Sequence, residues 1–263
     1  MDNLYKPFLS KIKKITRHTD VEYTFRMEYT GEVKPGQFFE VSIPKYGEAP
    51  ISVSGIGEGW VDMTIRRVGK VTNELFVASE GKSFFMRGPY GNGFDLDLYK
   101  GKQLIVVAGG TGVSPVRGVI NYFTDHISET KGFSVIVGFR SPADILFQED
   151  ILRWKENKGF LLTVDRSGEG YTGREGMVTQ YIPEVAILDL KSVQVVIVGP
   201  PPMMTACAKA FLARSVPEEN IWISHERRMS CGLGKCGHCR MSSKYVCLDG
   251  PVFNYADAKH LVD

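Results

Sequence analysis

Four cysteines near the C-terminal end of the sequence carry its most specific chemistry. They follow the pattern C-x4-C-x2-C-x7-C, at Cys231, Cys236, Cys239 and Cys247, and this spacing is typical of the ligands of a plant-type [2Fe–2S] cluster. Glycines between the first three cysteines allow a short loop to adopt positive φ and to turn N–H groups toward sulfur. We therefore predict an iron–sulfur site with three thiolates from one tight loop and the fourth from a following strand.

Zinc and disulfide bonds are the alternative uses of these cysteines. Zinc ribbons usually contain two C-x2-C pairs, whereas only Cys236 and Cys239 are spaced in this way. The spacing favours iron, and both alternatives stay open at this point. The fifth cysteine, Cys207, lies in an amphipathic helical pattern and is predicted to be an ordinary buried thiol. His238, inside the loop, is predicted to face solvent.

Two turns that follow apolar strands indicate a nucleotide site. The first, at residues 109–112, leads from a strand into a helix, which brings N–H groups and the helix N-terminus toward a pyrophosphate. It lacks the G-x-G-x-x-G spacing, and such a turn can also simply connect a strand to a helix. The second, at residues 199–202, would expose backbone at the end of a strand or serve only as a rigid helix start.

Two further segments could hold a second anionic ligand. Residues 49–54 offer backbone groups and hydroxyls along an extended strand. Residues 65–72 place Arg66 and Arg67 before a glycine and a threonine at a helix start, a combination that can hold a diphosphate. Taken alone both signals are weak, because arginines on strands are more often solvated.

Hydrophobic periodicity predicts the elements that position these motifs. Up to about residue 98, short alternating segments predict an antiparallel β-barrel with one helix at 71–79, the strands being 22–27, 37–43, 51–54 and 61–67. From residue 102, apolar strands alternate with helices, which predicts a parallel sheet covered on both faces. These strands are 103–108, 133–139, 160–165 and 193–198, and the helices are 113–123, 145–154 and 203–213.

The expected architecture is therefore a β-barrel plus an α/β domain. We predict a barrel domain at residues 1–98, a nucleotide-binding α/β domain at 99–223 and a small cluster-binding segment at 224–263. The chain has 263 residues and a formal charge of +2, which gives no broad cationic field for nucleic acid. No long apolar run is present and residues 1–6 show no signal-peptide pattern, so we expect no membrane span and a cytoplasmic location.

Taken in order, the motifs resemble the ferredoxin–NADP reductase superfamily across essentially the whole chain. The resemblance implies an oxidoreductase in which the barrel binds FAD, the α/β domain binds NADH or NADPH, and the flavin ring lies between them. Residues 49–52 resemble the family's R-x-[Y/I]-S flavin motif. This implies that Ser52 hydrogen-bonds flavin N5 at the reacting centre and that Pro50, Ile51 and Val53 lie along the ring or ribityl chain.

The remaining site residues follow from the same resemblance. The segment that resembles the family's pyrophosphate site contains Arg66, Arg67, Val68, Gly69, Val71 and Thr72. The residues similar to its G-G-T-G-x-x-P nucleotide loop are Gly109, Gly110, Thr111, Gly112 and Pro115. The residues similar to the G-P-x-x-M segment that faces the nicotinamide are Gly199, Pro200, Pro201 and Met203. Residues 87–91 resemble the G-P-x-G turn that ends the barrel.

Two positions qualify what the resemblance implies. Ala49 replaces the leading arginine of the flavin motif, so charge on the FAD phosphates must come from Arg66 or Arg67, or FAD binds more weakly. Asp165, at the end of a strand, would accept from a ribose 2′-hydroxyl and favour NADH. The neighbouring Arg166 and Arg140 favour NADPH, and on balance we expect NADH.

The cysteine segment narrows the resemblance to electron-transfer subunits that serve dihydroorotate dehydrogenase, cytoplasmic sulfhydrogenases and anaerobic sulfite reductases. Residues 226–253, together with Ala49, are most similar to the sulfite reductase subunit. This implies electron flow from NAD(P)H through FAD and a [2Fe–2S] cluster to catalytic sulfite reductase subunits in a hetero-oligomer. A dihydroorotate dehydrogenase or sulfhydrogenase partner is the alternative. A non-catalytic redox sensor that holds zinc or a labile cluster is the alternative from another class.

Overall fold

The structure is a computed structural model that describes residues 5–261. Residues 1–4 and 262–263 lie outside the described residues, so most of the segment 1–6, for which we predicted no signal peptide, is not described. The described chain divides into two compact units, one with residues up to Phe94 and His225–Val252, the other with Asp95–Ser224 and Phe253–His260. The cysteine segment therefore belongs to the same unit as the barrel, and the boundaries of three separate domains stay a prediction.

The first unit contains a closed antiparallel barrel of six strands in the order β1-β2-β5-β4-β3-β6. Alternate side chains fill its interior, among them Ile12, Phe39 and Met86, as the two-residue period of strands requires. The strands are β1 (Phe8–Arg17), β2 (Glu22–Glu28), β3 (Phe38–Ile43), β4 (Gly47–Gly57), β5 (Trp60–Arg66) and β6 (Ser83–Tyr90).

Helix α1 (Lys70–Leu75) follows β5 and is shorter than the predicted 71–79. After Leu75 the chain leaves the helical course and packs Phe76 on Tyr23, with ring centroids 4.2 Å apart. Residues 87–90, which resemble a barrel-ending turn, belong to strand β6 instead. The turn begins only at Gly91.

The second unit is built on a sheet in the order β10-β9-β8-β7-β11-β12-β15. The pairings from β10 through β12 are parallel, which confirms the predicted α/β architecture. The strands are β7 (Gln103–Gly109), β8 (Gly132–Phe139), β9 (Phe160–Val164), β10 (Arg174–Glu175), β11 (Gln194–Val198), β12 (Ile221–Ser224) and β15 (Val252–Asn254).

Three connections in this unit contain the helices α2 (Val113–Asp125), α3 (Gln148–Trp154) and α4 (Pro201–Ala213), and α6 (Tyr255–Ala258) follows the last strand. Helix α3 starts at Gln148, three residues after the predicted start at 145. Phe147 adopts a left-handed φ of 55°, so the helix cannot extend through it toward the N-terminus. In residues 5–261, no helix is long and apolar enough to cross a bilayer.

The cysteine segment is compact and has its own small elements. A hairpin of β13 (Arg240–Met241) and β14 (Lys244–Tyr245) leads into the helical turn α5 (Val246–Asp249). Asn92 at the end of the barrel fixes this end of the segment, because its Nδ2 donates to the carbonyls of Asp249 and Val252 across 3.0 and 2.8 Å. The loop and the barrel are thus held together by hydrogen bonds.

Candidate functional site: a cysteine loop on the barrel and a nucleotide edge on the sheet

Backbone amides surround the cysteine sulfurs. The N–H groups of Leu233 and Lys235 each donate to Cys231 Sγ across 3.3 Å, and the Gly234 N–H donates to Cys247 Sγ across 3.1 Å. Positive φ angles of 72°, 66° and 79° at Gly232, Gly234 and Gly237 turn the loop in this way, as predicted. N–H donors directed at sulfur stabilise thiolates, the form that binds metal.

Cys247 lies on the helical turn α5, so the prediction that it lies on a strand is wrong. Strand β14 ends at Tyr245, whose N–H donates to Asp249 Oδ2 across 2.7 Å. This contact closes the helical turn and presents Cys247 toward the loop, where its Sγ is 3.2 Å from Cys239 Sγ. The structure thus brings Cys239 and Cys247 into contact, with the fourth predicted ligand on a different type of element, and the full set of four ligands stays a prediction.

Burial and amide hydrogen bonds act on the thiol pKa values in opposite directions. Burial by itself raises the pKa of Cys231, but hydrogen bonds from the amides of Leu233, Cys236 and Lys235 outweigh it and lower the pKa to about 6. For Cys247, burial and the contact with Cys239 raise the pKa to about 12. One sulfur is therefore ready as a thiolate, and binding of metal must displace a proton from the other.

The donor set fits an iron–sulfur cluster. Loop amides donate to the sulfurs of Cys231 and Cys247, and Cys239 Sγ lies against Cys247 Sγ, an arrangement that suits an anionic cluster. In residues 5–261, no group of three or more His, Cys, Asp or Glu side chains is already placed to hold a metal ion. All five cysteines are free thiols in the structure. Cys207 is buried and burial raises its pKa to about 12, and His238 is exposed, as predicted for both.

Strand β4 places the predicted flavin residues on two sides of the barrel wall. Ile51 and Val53 belong to the barrel core, so Pro50 and Ser52 point away from it. Pro50 is paired with Glu40 on β3, and Glu40 with Arg87 on β6. We call the side that carries these outward residues the outer face of the barrel; it comprises Glu40, Glu48, Pro50, Ser52 and Arg87.

Arg87 joins the outer face to the cysteine loop. Its side chain is 6% exposed and forms a two-point ion pair with Glu48, with Nε–Oε1 and Nη2–Oε2 distances of 2.9 and 2.7 Å. Nη1 also donates to the carbonyl of Cys231 across 2.7 Å, and Nη2 donates to the carbonyl of Ser230. Burial alone would lower the pKa of Arg87, but its bonds to Glu48 and Tyr90 raise the pKa overall. The guanidinium therefore stays charged.

Glu40 is a buried acid without a hydrogen-bond partner. It is 0% exposed, and neither carboxylate oxygen has a partner among the described residues. Burial raises the pKa of Glu40 to about 7, although the Arg87 cation opposes the rise and Glu48 adds to it. The outer face thus contains a group that titrates near neutrality beside the cysteine loop.

The arginines of the predicted FAD diphosphate segment are exposed at the end of β5. Arg66 Nε lies 3.3 Å from Glu22 Oε1, and Arg67 Nε donates to Asn73 Oδ1 across 3.2 Å. The contact of Arg67 is open to water, where such contacts are weak; Arg66 is half-exposed, although its partner Glu22 is buried. The two guanidinium groups can therefore turn to an anion.

The rest of that segment forms a tight turn closed by a threonine. Thr72 Oγ1 accepts the N–H groups of Val68 and Gly69, each across 2.9 Å. These two amides are engaged within the turn, and Val71 lies half-buried in helix α1. The charge of a bound diphosphate would therefore be met by the arginines rather than by these amides.

The two predicted nucleotide turns lie side by side in the second unit, at the carboxyl ends of the paired strands β7 and β11. A Cβ on Gly112 would lie 2.7 Å from both the Val198 oxygen and Gly199 Cα, so only glycine fits there. Met203 packs against Gly109 and Gly199. The sequence motifs thus converge on one sheet edge, where ligands of open α/β sheets bind.

Helix α2 begins beside this edge with a buried hydroxyl. A 3₁₀ turn formed by Gly110, Thr111 and Gly112 leads into its first turn, which holds Ser114 and Pro115. Ser114 Oγ is buried and has no hydrogen-bond partner among the described residues. An orphaned hydroxyl at a helix N-terminus fits a phosphate ligand. Across the edge, Pro200 precedes α4 and Pro201 is its first residue, so these prolines do form a rigid helix start.

Asp165 lies exposed just after β9. Its N–H donates to Phe139 O across 2.8 Å, and the Arg166 N–H donates to Arg140 O across 3.0 Å. A cavity of about 480 Å³ opens next to them. Its lining includes Ser141, Pro142, Ala143, Arg166, Ser167 and Tyr171. The acid and the arginines that argue for opposite nucleotides therefore lie at the ends of neighbouring strands.

Comparison with known proteins defines the class. Residues 106–209 match the oxidoreductase NAD-binding domain, and residues 226–259 match the iron–sulfur cluster binding domain of dihydroorotate dehydrogenase B. A solved structure of an NADH-dependent reduced ferredoxin–NADP oxidoreductase is 26% identical, with a TM-score of 0.80, over 95% of this chain and 89% of that chain. The fold is therefore that of a ferredoxin–NADP reductase-like oxidoreductase with an iron–sulfur domain.

Relatives of similar length define the family within that class. The gamma subunit of sulfhydrogenase 1 from Pyrococcus furiosus is 35% identical, and the match covers 97% of this chain and 93% of the relative. A probable dihydroorotate dehydrogenase B electron transfer subunit from Thermococcus kodakarensis is 34% identical over 87% of this chain and 88% of the relative. The chain belongs to the family of these electron-transfer subunits. FAD, a nicotinamide nucleotide and a [2Fe–2S] cluster, the predicted cofactors, agree with this family.

Proposed function

We propose that the chain is the electron-transfer subunit of a larger enzyme. It oxidises NAD(P)H through FAD and passes single electrons through a [2Fe–2S] cluster to a catalytic partner. The observation that carries this proposal is the amide-lined cysteine loop, bonded through Arg87 to the strand with the flavin motif. A nicotinamide delivers two electrons as hydride, a flavin can release them singly and a cluster carries one, so the cofactors supply the chemistry and the protein positions them.

The barrel residues have two proposed tasks. Pro50 and Ser52, on the outer face, would orient the flavin, and the Ser52 hydroxyl would hydrogen-bond N5. Ile51 and Val53 have their side chains in the barrel core and would contribute backbone groups only. Arg66 and Arg67 would balance the charge of the FAD diphosphate. The turn that follows them in the chain, with Val68, Gly69, Val71 and Thr72, would complete this segment of the site.

The sheet edge of the second unit would bind the nicotinamide nucleotide. Gly110 has open space around it and would allow the backbone to approach the ligand closely, whereas the glycines at 109, 112 and 199 let the segments of this edge pack together. The Ser114 hydroxyl would donate to a phosphate oxygen. Met203 and the prolines at 200 and 201 would shape the nicotinamide end, with Thr111 and Pro115 at the start of α2. Asp165 would accept a hydrogen bond from the ribose 2′-hydroxyl, which favours NADH.

Three partners have specific support. The match to the sulfhydrogenase gamma subunit over nearly the whole chain supports a hydrogenase-type partner. The cluster-domain match supports a dihydroorotate dehydrogenase partner. The sequence at Ala49 and in the cysteine segment favours catalytic subunits of a sulfite reductase, which stays a prediction.

The proposal is tested with the full chain purified without oxygen. We expect flavin absorbance with an iron–sulfur shoulder, both bleached by NADH, and a one-electron EPR signal that grows as the flavin is reduced. A colourless zinc protein, or a flavoprotein whose cluster NADH does not reduce, would contradict it.

The partner is identified separately, by copurification from the native source with a tag on this chain. The purified complex is assayed for NAD(P)H-linked turnover of hydrogen, dihydroorotate and sulfite. The substrate that is turned over, whether hydrogen, dihydroorotate or sulfite, identifies the type of catalytic partner. Copurified subunits that accept no electrons from the reduced chain would contradict its role as their electron donor.

A further inference from the structure

A single buried cation links the flavin-motif strand to the cysteine loop. The Arg87 guanidinium uses one edge to hold Glu48, two residues before Pro50, and donates to two consecutive carbonyls of the loop, those of Ser230 and Cys231. All of these contacts lie within one compact unit of the chain. Because the side chain is only 6% exposed, water screens its charge poorly.

We propose that Arg87 is a positioning residue for the iron–sulfur centre: it fixes the backbone at the ligand Cys231 and, as a buried cation, favours the reduced form of the cluster, while Glu48 orients it and opposes its charge. This inference rests on the proposed function, because it requires that the cysteines hold a cluster. It concerns a residue for which the sequence offered no role beyond a turn.

The geometry supports a positioning role for Arg87 rather than a general packing role. A planar guanidinium can satisfy a carboxylate and two carbonyls at once, whereas a lysine ammonium cannot reproduce the fork. The loop backbone at Ser230 and Cys231 would lose two donors without it. Tyr90, whose hydroxyl accepts from Arg87 Nη1 across 3.1 Å, completes the set of groups that hold the guanidinium in place.

The charges of Arg87 and Glu48 should shift the reduction potential of the cluster in opposite directions. Adding an electron to the cluster adds negative charge, which a nearby cation stabilises and a nearby anion destabilises. Removing the Arg87 charge should therefore lower the reduction potential, and removing the Glu48 charge should raise it. The other charged or titratable groups that face this pair are Glu40, Tyr90 and Cys231, and all of them are retained in both variants.

The test compares Arg87→Gln, Glu48→Gln and Arg87→Lys in the full chain, with the cluster titrated anaerobically against redox mediators and followed by EPR. We expect the ratio of reduced to oxidised cluster at a fixed potential to fall about tenfold in Arg87→Gln and to rise several-fold in Glu48→Gln, a tenfold change being about 59 mV for one electron. Arg87→Lys should keep a potential near the wild-type value and alter the EPR line shape.

Arg26→Gln is the matched control. Arg26 forms the same two-point pair, with Asp62 at 2.8 and 2.9 Å, on barrel strands β2 and β5. It should leave the potential and line shape unchanged. If Arg87→Gln retains no cluster while Arg26→Gln does, the positioning role is supported and Glu48→Gln still reports the charge effect.

Two results would overturn the inference. One is a shift of the same sign in Arg87→Gln and Glu48→Gln, or none in either. The other is equal loss of cluster from Arg87→Gln and Arg26→Gln, which indicates damage to the barrel in general. A wild-type protein without any cluster would instead overturn the proposed function, so the two failures are distinguishable.

Discussion

Gly232 lies so close to Tyr90 that a Cβ on the glycine would be 2.7 Å from two atoms of the ring. Tyr90 is 4% exposed and its hydroxyl is held by Arg87, so the ring has little room to move. Gly232 also adopts a φ of 72°, which side chains disfavour. The loop next to Cys231 therefore depends on glycine for two independent reasons.

Gly232→Ala should destabilise the loop more than Gly237→Ala. Gly237 has a similar φ of 79° but open space around it, so it carries only the backbone penalty, about 1–2 kcal/mol. Gly232→Ala adds overpacking against Tyr90, about 1–3 kcal/mol more. Iron content after purification and urea unfolding measure the difference. Equal loss in both variants would mean that the Tyr90 contact is unimportant.

Glu40 should make the free energy of unfolding depend on pH. Its pKa is about 7 in the folded chain against an ordinary 4.5, so the folded state keeps a proton that the unfolded state has released. Stability from this group is therefore complete below pH 4.5 and is lost as the pH rises through 7, by on the order of 3 kcal/mol.

Glu40→Gln removes that dependence because the amide does not titrate. We expect the variant to be more stable than the wild type at pH 8 and nearly equal at pH 4.5, measured by urea denaturation at both values. A difference between the two proteins that is the same at both pH values would show that Glu40 stays ionised in the folded chain.

Arg66 and Arg67 should contribute to FAD affinity because Ala49 leaves the flavin motif without its usual arginine. Replacing both with Gln should weaken FAD binding tenfold or more, since hydrogen bonds to charged groups contribute about 1.5–3 kcal/mol each. Arg17→Gln, an exposed arginine over the Tyr23 ring on another strand, is the control. Flavin retained at the same dissociation constant in all variants would assign the diphosphate to other residues.

Asp165 should set the choice of nucleotide. Asp165→Ser removes the carboxylate that repels a 2′-phosphate while Arg166 and Arg140 remain, so kcat/KM for NADPH relative to NADH should rise about tenfold. Glu169→Ser, which removes an acid from the cavity beside Arg166, controls for the general change in charge. Unchanged ratios of the two kcat/KM values in Asp165→Ser would remove this residue from the argument.

The regular elements of the fold were largely predictable from the sequence. Alternating apolar residues located β2, β3 and β5, and continuous apolar runs located β7, β8 and β11, because barrel walls and buried parallel strands leave such patterns. Their ends were less predictable. Helix α3 starts late because of one left-handed residue, Phe147, and that conformation leaves no periodic signal.

In the candidate site, too, some features could be predicted from the sequence and others could not. Cysteine spacing and glycine turns are local features, so they could be read from the sequence. Arg87 and Glu48 act through contacts across 39 to 144 residues, and Glu40 is fully buried without a hydrogen-bond partner among the described residues. Charged residues on strands are usually solvated, so nothing in the sequence indicates that Arg87 and Glu40 are buried. The only available signal was Met86 in the core pattern, which places Arg87 on the opposite side.

Cys247 and Cys207 differ in their surroundings, and we expect only Cys247 to be a ligand of the cluster. Both thiols are buried, but only Cys247 accepts a loop amide and contacts another cysteine sulfur. Cys247→Ser should therefore lose the cluster, while Cys207→Ala should retain it with unchanged iron content. Iron loss of the same size in both would point to general instability.

The most direct measurement is iron and acid-labile sulfide content, with EPR, on the wild-type chain purified without oxygen and reduced by NADH. We expect about two irons and two sulfides per chain and a reduced-cluster signal that Cys247→Ser abolishes. Zinc in place of iron, or iron that remains EPR-silent after NADH has bleached the flavin, would contradict it.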